Sequence, residues 1–152
     1  MDIKTFGDLI DWTRQLHEHL ARCLAHCAGQ HEEERARMLL DYLADHEAEL
    51  ERVVAEYERR ADPKALKTYV YDYLEHRPIR THRTCDGHYA SLDSEGICRE
   101  IFDFHDQVID LYRSLVGKAA IPEAKQLLES LLELEEHEAM RLARQTGRMK
   151  DV

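Results

Sequence analysis

Only six glycines and three prolines interrupt 152 residues, and that scarcity constrains the fold more than any other feature. Glycine and proline make the tight turns and break the helices of most chains. A chain this short of them does not suit many-stranded β architecture or long flexible linkers and favours a few long helices. Apolar residues make up 43% of the sequence, enough for one core in a domain of this size. An all-α fold is expected, with residues 1–152 forming a single domain.

The few breakers fall where four helices need them. Thr5, with Asp8 three residues on, gives a capping-box signature, and Gly29 closes the stretch. Its inner stripe reads Leu9, Thr13, Leu16, Leu20, Cys23 and Cys27, bordered by Ile10, His17 and Leu24. A second helix is predicted from about Gln30 to Ala61, where Asp62-Pro63 stops it. Its inward face is Leu39, Leu43, His46, Leu50, Val53 and Tyr57, with Tyr42 and Glu49 at the border. A third runs from near Ser94 to near Gly117, placing Ile97, Ile101, His105, Val108, Tyr112 and Leu115 inward. Pro122 opens the fourth in its first turn, where a missing N–H costs little. There Leu128, Leu131, Leu132, Glu135, Glu138, Ala139 and Leu142 share a face.

Short loops near Gly29 and from Gly117 to Ile121 make two antiparallel hairpins. The link between them, about 62–93, holds a predicted short helix over 63–76 that carries Tyr69, Tyr71 and Tyr73. The halves also repeat. Leu9 to Leu16 reads against Ile101 to Val108 without a gap, and helix 2 overlays helix 4 with His46 on Glu135 and Glu49 on Glu138. An internally duplicated helical hairpin accounts for both matches.

A net charge of −10 repels phosphate backbones and anionic bilayers, so neither nucleic acid nor membrane is an expected partner. No apolar run approaches the roughly 18 residues of a membrane span. The opening Met1-Asp2-Ile3-Lys4-Thr5-Phe6 lacks a signal-peptide core, and a cytoplasmic location is expected. Cys23, Cys27, Cys85 and Cys98 then read as reduced thiols. No Gly-rich phosphate loop or recognisable nucleophile motif supports kinase, dehydrogenase or hydrolase chemistry.

Ten histidines are the unusual count. His46, His105 and Glu135 interrupt the inward stripes, and Glu49 and Glu138 stand at the borders. His17 and His105 lie about 13 and 14 residues before their loops, and His46 and Glu135 about 16 after theirs. At about 1.5 Å per residue, these four sit about 20 Å from the hairpin ends and converge on one mid-bundle layer. Buried carboxylates are expensive unless paired or metal-bound. Imidazole and carboxylate donors suit iron or manganese, with zinc also compatible. The candidate metal ligands are therefore His17, His46, Glu49, His105, Glu135 and Glu138. The alternative is a metal-free polar layer, with His46 bonded to Glu135 and His105 to Glu138.

Other histidines have blander readings. His82-x2-Cys85-x2-His88, joined by Cys98 or His76, has zinc-compatible spacing, against which a solvated loop is the plainer account. His19, Cys23, His26 and Cys27 read as helix packing, and His31 and His137 as surface residues.

The stretches Leu43-Ala44-Asp45-His46-Glu47-Ala48 and Leu134-Glu135-Glu136-His137-Glu138-Ala139, with the duplicated hairpin and long middle link, carry a family signal. Over its four helices the chain resembles the ferritin-like superfamily, in particular the small rubrerythrin-like proteins. The resemblance implies a ferritin-like four-helix bundle of two duplicated hairpins. It also implies iron- or manganese-dependent oxidative or peroxide chemistry at a mid-bundle His/Glu site. The family's di-iron centre takes a Glu from each of two helices and a Glu-x-x-His from each of the others. That motif is absent here, since Leu43 and Leu134 stand three residues before His46 and His137. The alternative is a metal-free scaffold or interaction module that has lost the site. Its working surface would be the tyrosine-bearing crossover helix, which also suits a homodimer contact.

Overall fold

The computed structural model describes residues 3–69, 88–119 and 121–150, with side chains to 147. Among them are four long helices: α1 (Phe6–Ala28), α2 (Glu34–Arg60), α4 (Ser94–Val116) and α5 (Pro122–Lys150). A single turn, α3 (Pro63–Leu66), follows α2, and a 3₁₀ turn (Tyr89–Ser91) precedes α4. No helix is long and apolar enough to cross a membrane among the described residues.

Local chemistry sets the helix ends. Thr5 is extended and accepts from the Asp8 N–H, while Asp8 accepts from the Thr5 N–H at 3.2 Å, a complete capping box. The N–H groups of Lys4 and Thr5 hold the Asp8 carboxyl below its ordinary range. Asp93 caps α4 through the Gly96 N–H at 2.7 Å, and Asp62 caps α3 through Lys64. Gly29 and Gly117 close α1 and α4. The first hairpin loop is longer than expected, because α2 begins at Glu34.

That loop is anchored across the molecule by His31, which is buried. Its Nδ1 accepts from the Glu33 N–H at 3.0 Å, so Nε2 carries the proton and donates to the Leu92 carbonyl at 2.8 Å. His31 is thus a tether between the hairpins and not the surface residue its position suggested.

In the crossover, the expected helix over 63–76 ends at Leu66. Tyr69 then bridges antiparallel to Thr5, and the Phe6 N–H donates to the Thr68 carbonyl at 2.9 Å. Gly7 permits this approach, since a Cβ there would meet the Leu66 carbonyl oxygen at 3.0 Å. Tyr71, Tyr73, His76, His82 and Cys85 lie outside the described residues. Cys23 is disulfide-bonded, against the reduced-thiol expectation, while Cys27 is a free buried thiol.

The core draws on all four long helices, with Leu9, Ile10, Leu24, Leu40, Leu43, Ile101, Leu111 and Leu128 among its fully covered side chains. Burying each leucine is worth roughly 1.5–3 kcal/mol. α1 packs along α2 and α4 along α5, and α2 also touches both α4 and α5.

The repeat is gapless at an offset of 88 residues. Phe6 pairs with Ser94, Ala28 with Val116, Gly29 with Gly117 and Glu34 with Pro122. The burial pattern follows: Leu9 and Ile97, Leu20 and Val108, Leu40 and Leu128, Leu43 and Leu131, and Val54 and Leu142 are all covered. This register replaces the sequence alignment, which was displaced by one turn in α1 against α4 and by one residue in α2 against α5.

Candidate functional site

At mid-height each long helix presents one ionisable residue in a position otherwise held by Leu, Ile, Val or Thr. His17 follows Thr13 and precedes Leu20, Glu47 lies between Leu43 and Leu50, His105 between Ile101 and Val108, and Glu135 follows Leu131. His17 and His105 stand twelve residues before their loop glycines, and Glu47 and Glu135 eighteen after them. The four therefore form one layer, and all are fully buried.

Their contacts close a ring. His17 Nδ1 lies 2.7 Å from Glu47 Oε2, and its Nε2 lies 2.8 Å from Glu135 Oε1. His105 Nε2 lies 2.5 Å from Glu47 Oε1. On the fourth side, His105 Nδ1 approaches Glu135 Oε2 to 3.5 Å. That contact is an ion pair without hydrogen-bond alignment, and both atoms lack an aligned partner among the described residues. The Phe104 ring meets His17 and His105 edge-on, at 5.5 and 5.6 Å between centroids.

Both nitrogens of His17 face carboxylate oxygens. Ionised carboxylates only accept hydrogen bonds, so His17 must carry two protons as the imidazolium. Burial alone favours a neutral ring, but the Glu135 and Glu47 charges overcome it and raise the His17 pKa to about 9. His105 follows the same logic, with burial opposed chiefly by Glu47, and rises to about 10. Burial likewise favours protonated carboxyls, yet His17 and His105 draw Glu135 down to about 2 and Glu47 further below the ordinary range. Two imidazoliums and two carboxylates leave the ring neutral overall.

A second tier borders the ring. His46, with a side chain 7% exposed, places its ring 6.0 Å from that of His105. Its Nδ1 lies 3.8 Å from Glu138 Oε2, and its Nε2 is buried without a partner among the described residues. Burial holds His46 below its ordinary pKa, despite the nearby Glu47 charge. One ligand atom from each of His46, Glu47 and His105 lies within 4.8 Å of the others, a spacing a single metal ion can span. Glu138 is 18% exposed and also lies 3.7 Å from Arg141. Tyr112 brings a buried hydroxyl without an aligned partner, and burial, then the Glu135 charge, pushes its pKa up.

His17, His105 and Glu135 enter the ring, and His46 and Glu138 border it. Glu49 does not belong: its side chain is 60% exposed and pairs with Arg52 on the outer face. The expected His46–Glu135 and His105–Glu138 pairs give way to His17–Glu47, His17–Glu135, His105–Glu47 and His46–Glu138. Glu47 is absent from the expected ligands because the predicted inner stripe of α2 is one residue out of phase with the buried one. The most deeply covered positions are Ala36, Leu40, Leu43, Glu47, Leu50 and Val54, with Leu39 and Ala44 buried beside them, not a stripe through His46, Val53 and Tyr57. The spacing of the two loop glycines carried the missing signal, since it sets Glu47 against Glu135 and His17 against His105.

Outside the ring the two hairpins differ. On α4 and α5 a cleft of about 540 Å³ has His105 in its wall, with Phe102, Asp106, Asp110, Glu136 and Met140 around it. The equivalent face of α1 and α2 is spanned by Arg14, which contacts Glu51 at 2.8 Å, Asp11 at 3.1 Å, Glu18 at 3.3 Å and Glu58 at 3.9 Å. In the 88-residue register Arg14 corresponds to Phe102 and Glu51 to Ala139, so that clamp has no counterpart. No family model, curated protein or solved structure matches the chain.

Proposed function

We propose that the chain is a metal-binding, ferritin-like protein of rubrerythrin-like type, holding iron or manganese in its mid-bundle His/Glu layer. The observation that carries this reading is the set of orphaned donors. His46 Nε2, His105 Nδ1 and Glu135 Oε2 are buried without aligned partners, where a stable core normally satisfies such atoms. Imidazole nitrogen and carboxylate oxygen are the donors these ions take, and zinc accepts the same set. The ferritin-like assignment is supported by the two duplicated hairpins, the long link between them and one polar layer shared by four helices.

His46, His105 and Glu47 would hold the ion, and His17 would anchor both Glu47 and Glu135. When bound, iron or manganese would supply redox and Lewis-acid chemistry toward dioxygen or peroxide. Glu47 and Glu135 bring the negative charge that offsets a cation. Glu138 stands on the Nδ1 side of His46 and favours the orientation that leaves Nε2 facing inward. Phe104 and the leucines above and below exclude water. His105 must give up a proton to become a ligand, so binding strengthens as pH rises.

A second reading rests on the closure of the ring. Four balanced charges in mutual contact also describe a metal-free ionic layer in a scaffold protein. Elemental analysis separates the two, using untagged protein grown with iron and manganese and purified without chelator. Bound metal that is lost in His105→Ala is expected. Less than about a tenth of an equivalent, with melting unchanged by added iron, manganese or zinc, would overturn the metal-binding reading, because a native-state ligand must raise stability.

A further inference from the structure

The 88-residue register gives every residue near His105 a counterpart near His17, and the counterparts do not match. His46 corresponds to Leu134, and Glu138 to Leu50. The His46–Glu138 approach on the His105 side is therefore replaced by two leucine positions on the His17 side. The Arg14 clamp further covers the outer face of the first hairpin, where the second hairpin has its cleft. Both rings belong to the same layer, yet only His105 has a histidine neighbour with an unpartnered nitrogen and a place in the wall of a cleft.

Resting on the metal-binding reading, we infer that the layer is one-sided: it takes a single divalent cation at His46, Glu47 and His105, reached through the α4–α5 cleft. His17 then serves as a structural counterion to Glu47 and Glu135, one from each hairpin, and is not a ligand, because both its nitrogens already bond to carboxylates. Glu138 is a positioning residue, set behind His46 at 3.8 Å. The cleft carries three carboxylates, Asp106, Asp110 and Glu136, against the one guanidinium of Arg113. Arg113 lies 3.4 Å from Asp110 and 3.7 Å from Glu136, leaving a net negative approach that draws cations. Two ions would need a second set of donors around His17, and Leu50 and Leu134 occupy those positions.

Titration of the metal-free full chain with Mn²⁺ alone, followed by the loss of free-ion paramagnetic signal, reads the stoichiometry directly. One equivalent is expected. His46→Leu, which installs the residue found at the matching position 134, should weaken Mn²⁺ at least a hundredfold while the metal-free melting temperature holds. If that variant does not fold, His46→Gln keeps a polar group and should weaken binding similarly. Ala143 also lines the cleft, and Ala143→Trp, which fills it, should slow Mn²⁺ association about tenfold and leave the stoichiometry at one. Two equivalents in the wild type, or undiminished affinity in both His46 variants, would overturn the one-sided site while leaving metal binding intact. Unchanged association in Ala143→Trp would overturn the cleft as the route. No binding by the wild type would overturn this inference together with the metal-binding reading.

Discussion

The two hairpins share a register and differ in what surrounds it. Each places a histidine twelve residues before its loop glycine and a glutamate eighteen after, and each buries both. The first hairpin then closes its outer face with the Arg14 network, whereas the second leaves a cleft beside His105. Glu51 raises the Arg14 pKa well above its already high ordinary value, as expected of a cation held among carboxylates. The repeat preserves the layer that joins the hairpins and lets its flanks diverge. The shared residues build the charged layer, and the unshared ones, His46 and Glu138, make its two sides differ.

The largest effect should come from breaking the shared layer on one side only. Glu47→Ala or Glu135→Ala strands imidazoliums in the core and should cost about 3–5 kcal/mol in urea denaturation. Comparable losses from the two hairpins would confirm that they contribute equally; a much smaller loss at one would end the equivalence. Replacing His17, Glu47, His105 and Glu135 together with leucine removes every charge at once. The metal-free protein should then be unchanged or more stable by about 1–4 kcal/mol, and a severe loss would show that the ring itself is needed for folding.

Proton linkage gives a third test, on metal-free protein. His17 and His105 have folded pKa values near 9 and 10, above the ordinary 6.5. Their stabilisation is complete below 6.5 and is lost as pH rises through 9 to 10. Glu135 lies near 2, below its ordinary 4.5, so its contribution is present above 4.5 and is lost as pH falls toward 2. The melting temperature should therefore be highest between pH 4.5 and 6.5 and decline on both sides. A rising melting temperature from pH 6.5 to 9 would contradict the charged ring.

Smaller effects compare the helix starts. Thr5→Ala removes a reciprocal capping box and Asp93→Ala a single cap, and each should cost about 1 kcal/mol by thermal melting. His31→Ala removes the tether between the first loop and Leu92 and should cost about as much as one hydrogen bond, roughly 0.5–1.5 kcal/mol. A null result would show that the first hairpin loop contributes nothing to joining the halves.

Much of the fold was legible in the sequence. Thr5 with Asp8, Gly29, Gly117 and Pro122 mark helix ends through interactions within a few residues, so local chemistry suffices to read them. The inward face of α4 was also readable, because Ile97, Ile101, His105, Val108, Tyr112 and Leu115 form a single stripe at helical spacing and all six are buried. α2 was ambiguous, since Leu39, Leu43 and Leu50 fit two stripes that differ by a rotation of one residue. Under one stripe His46 points to the centre, and under the other Glu47 does.

The chain by itself determined that there are four long helices in two hairpins, and that an ionisable layer lies at mid-height. Those features follow from periodicity and from caps, which act over one or two turns. The tertiary structure decided the rotation of α2, the pairing of each histidine with both carboxylates, and the displacement of Glu49 to solvent. Those depend on which surfaces of α1, α4 and α5 meet α2, which the spacing within one helix does not carry, although matching the halves at Gly29 and Gly117 points to Glu47. A buried charge selects its orientation only when a partner from another helix is present to neutralise it.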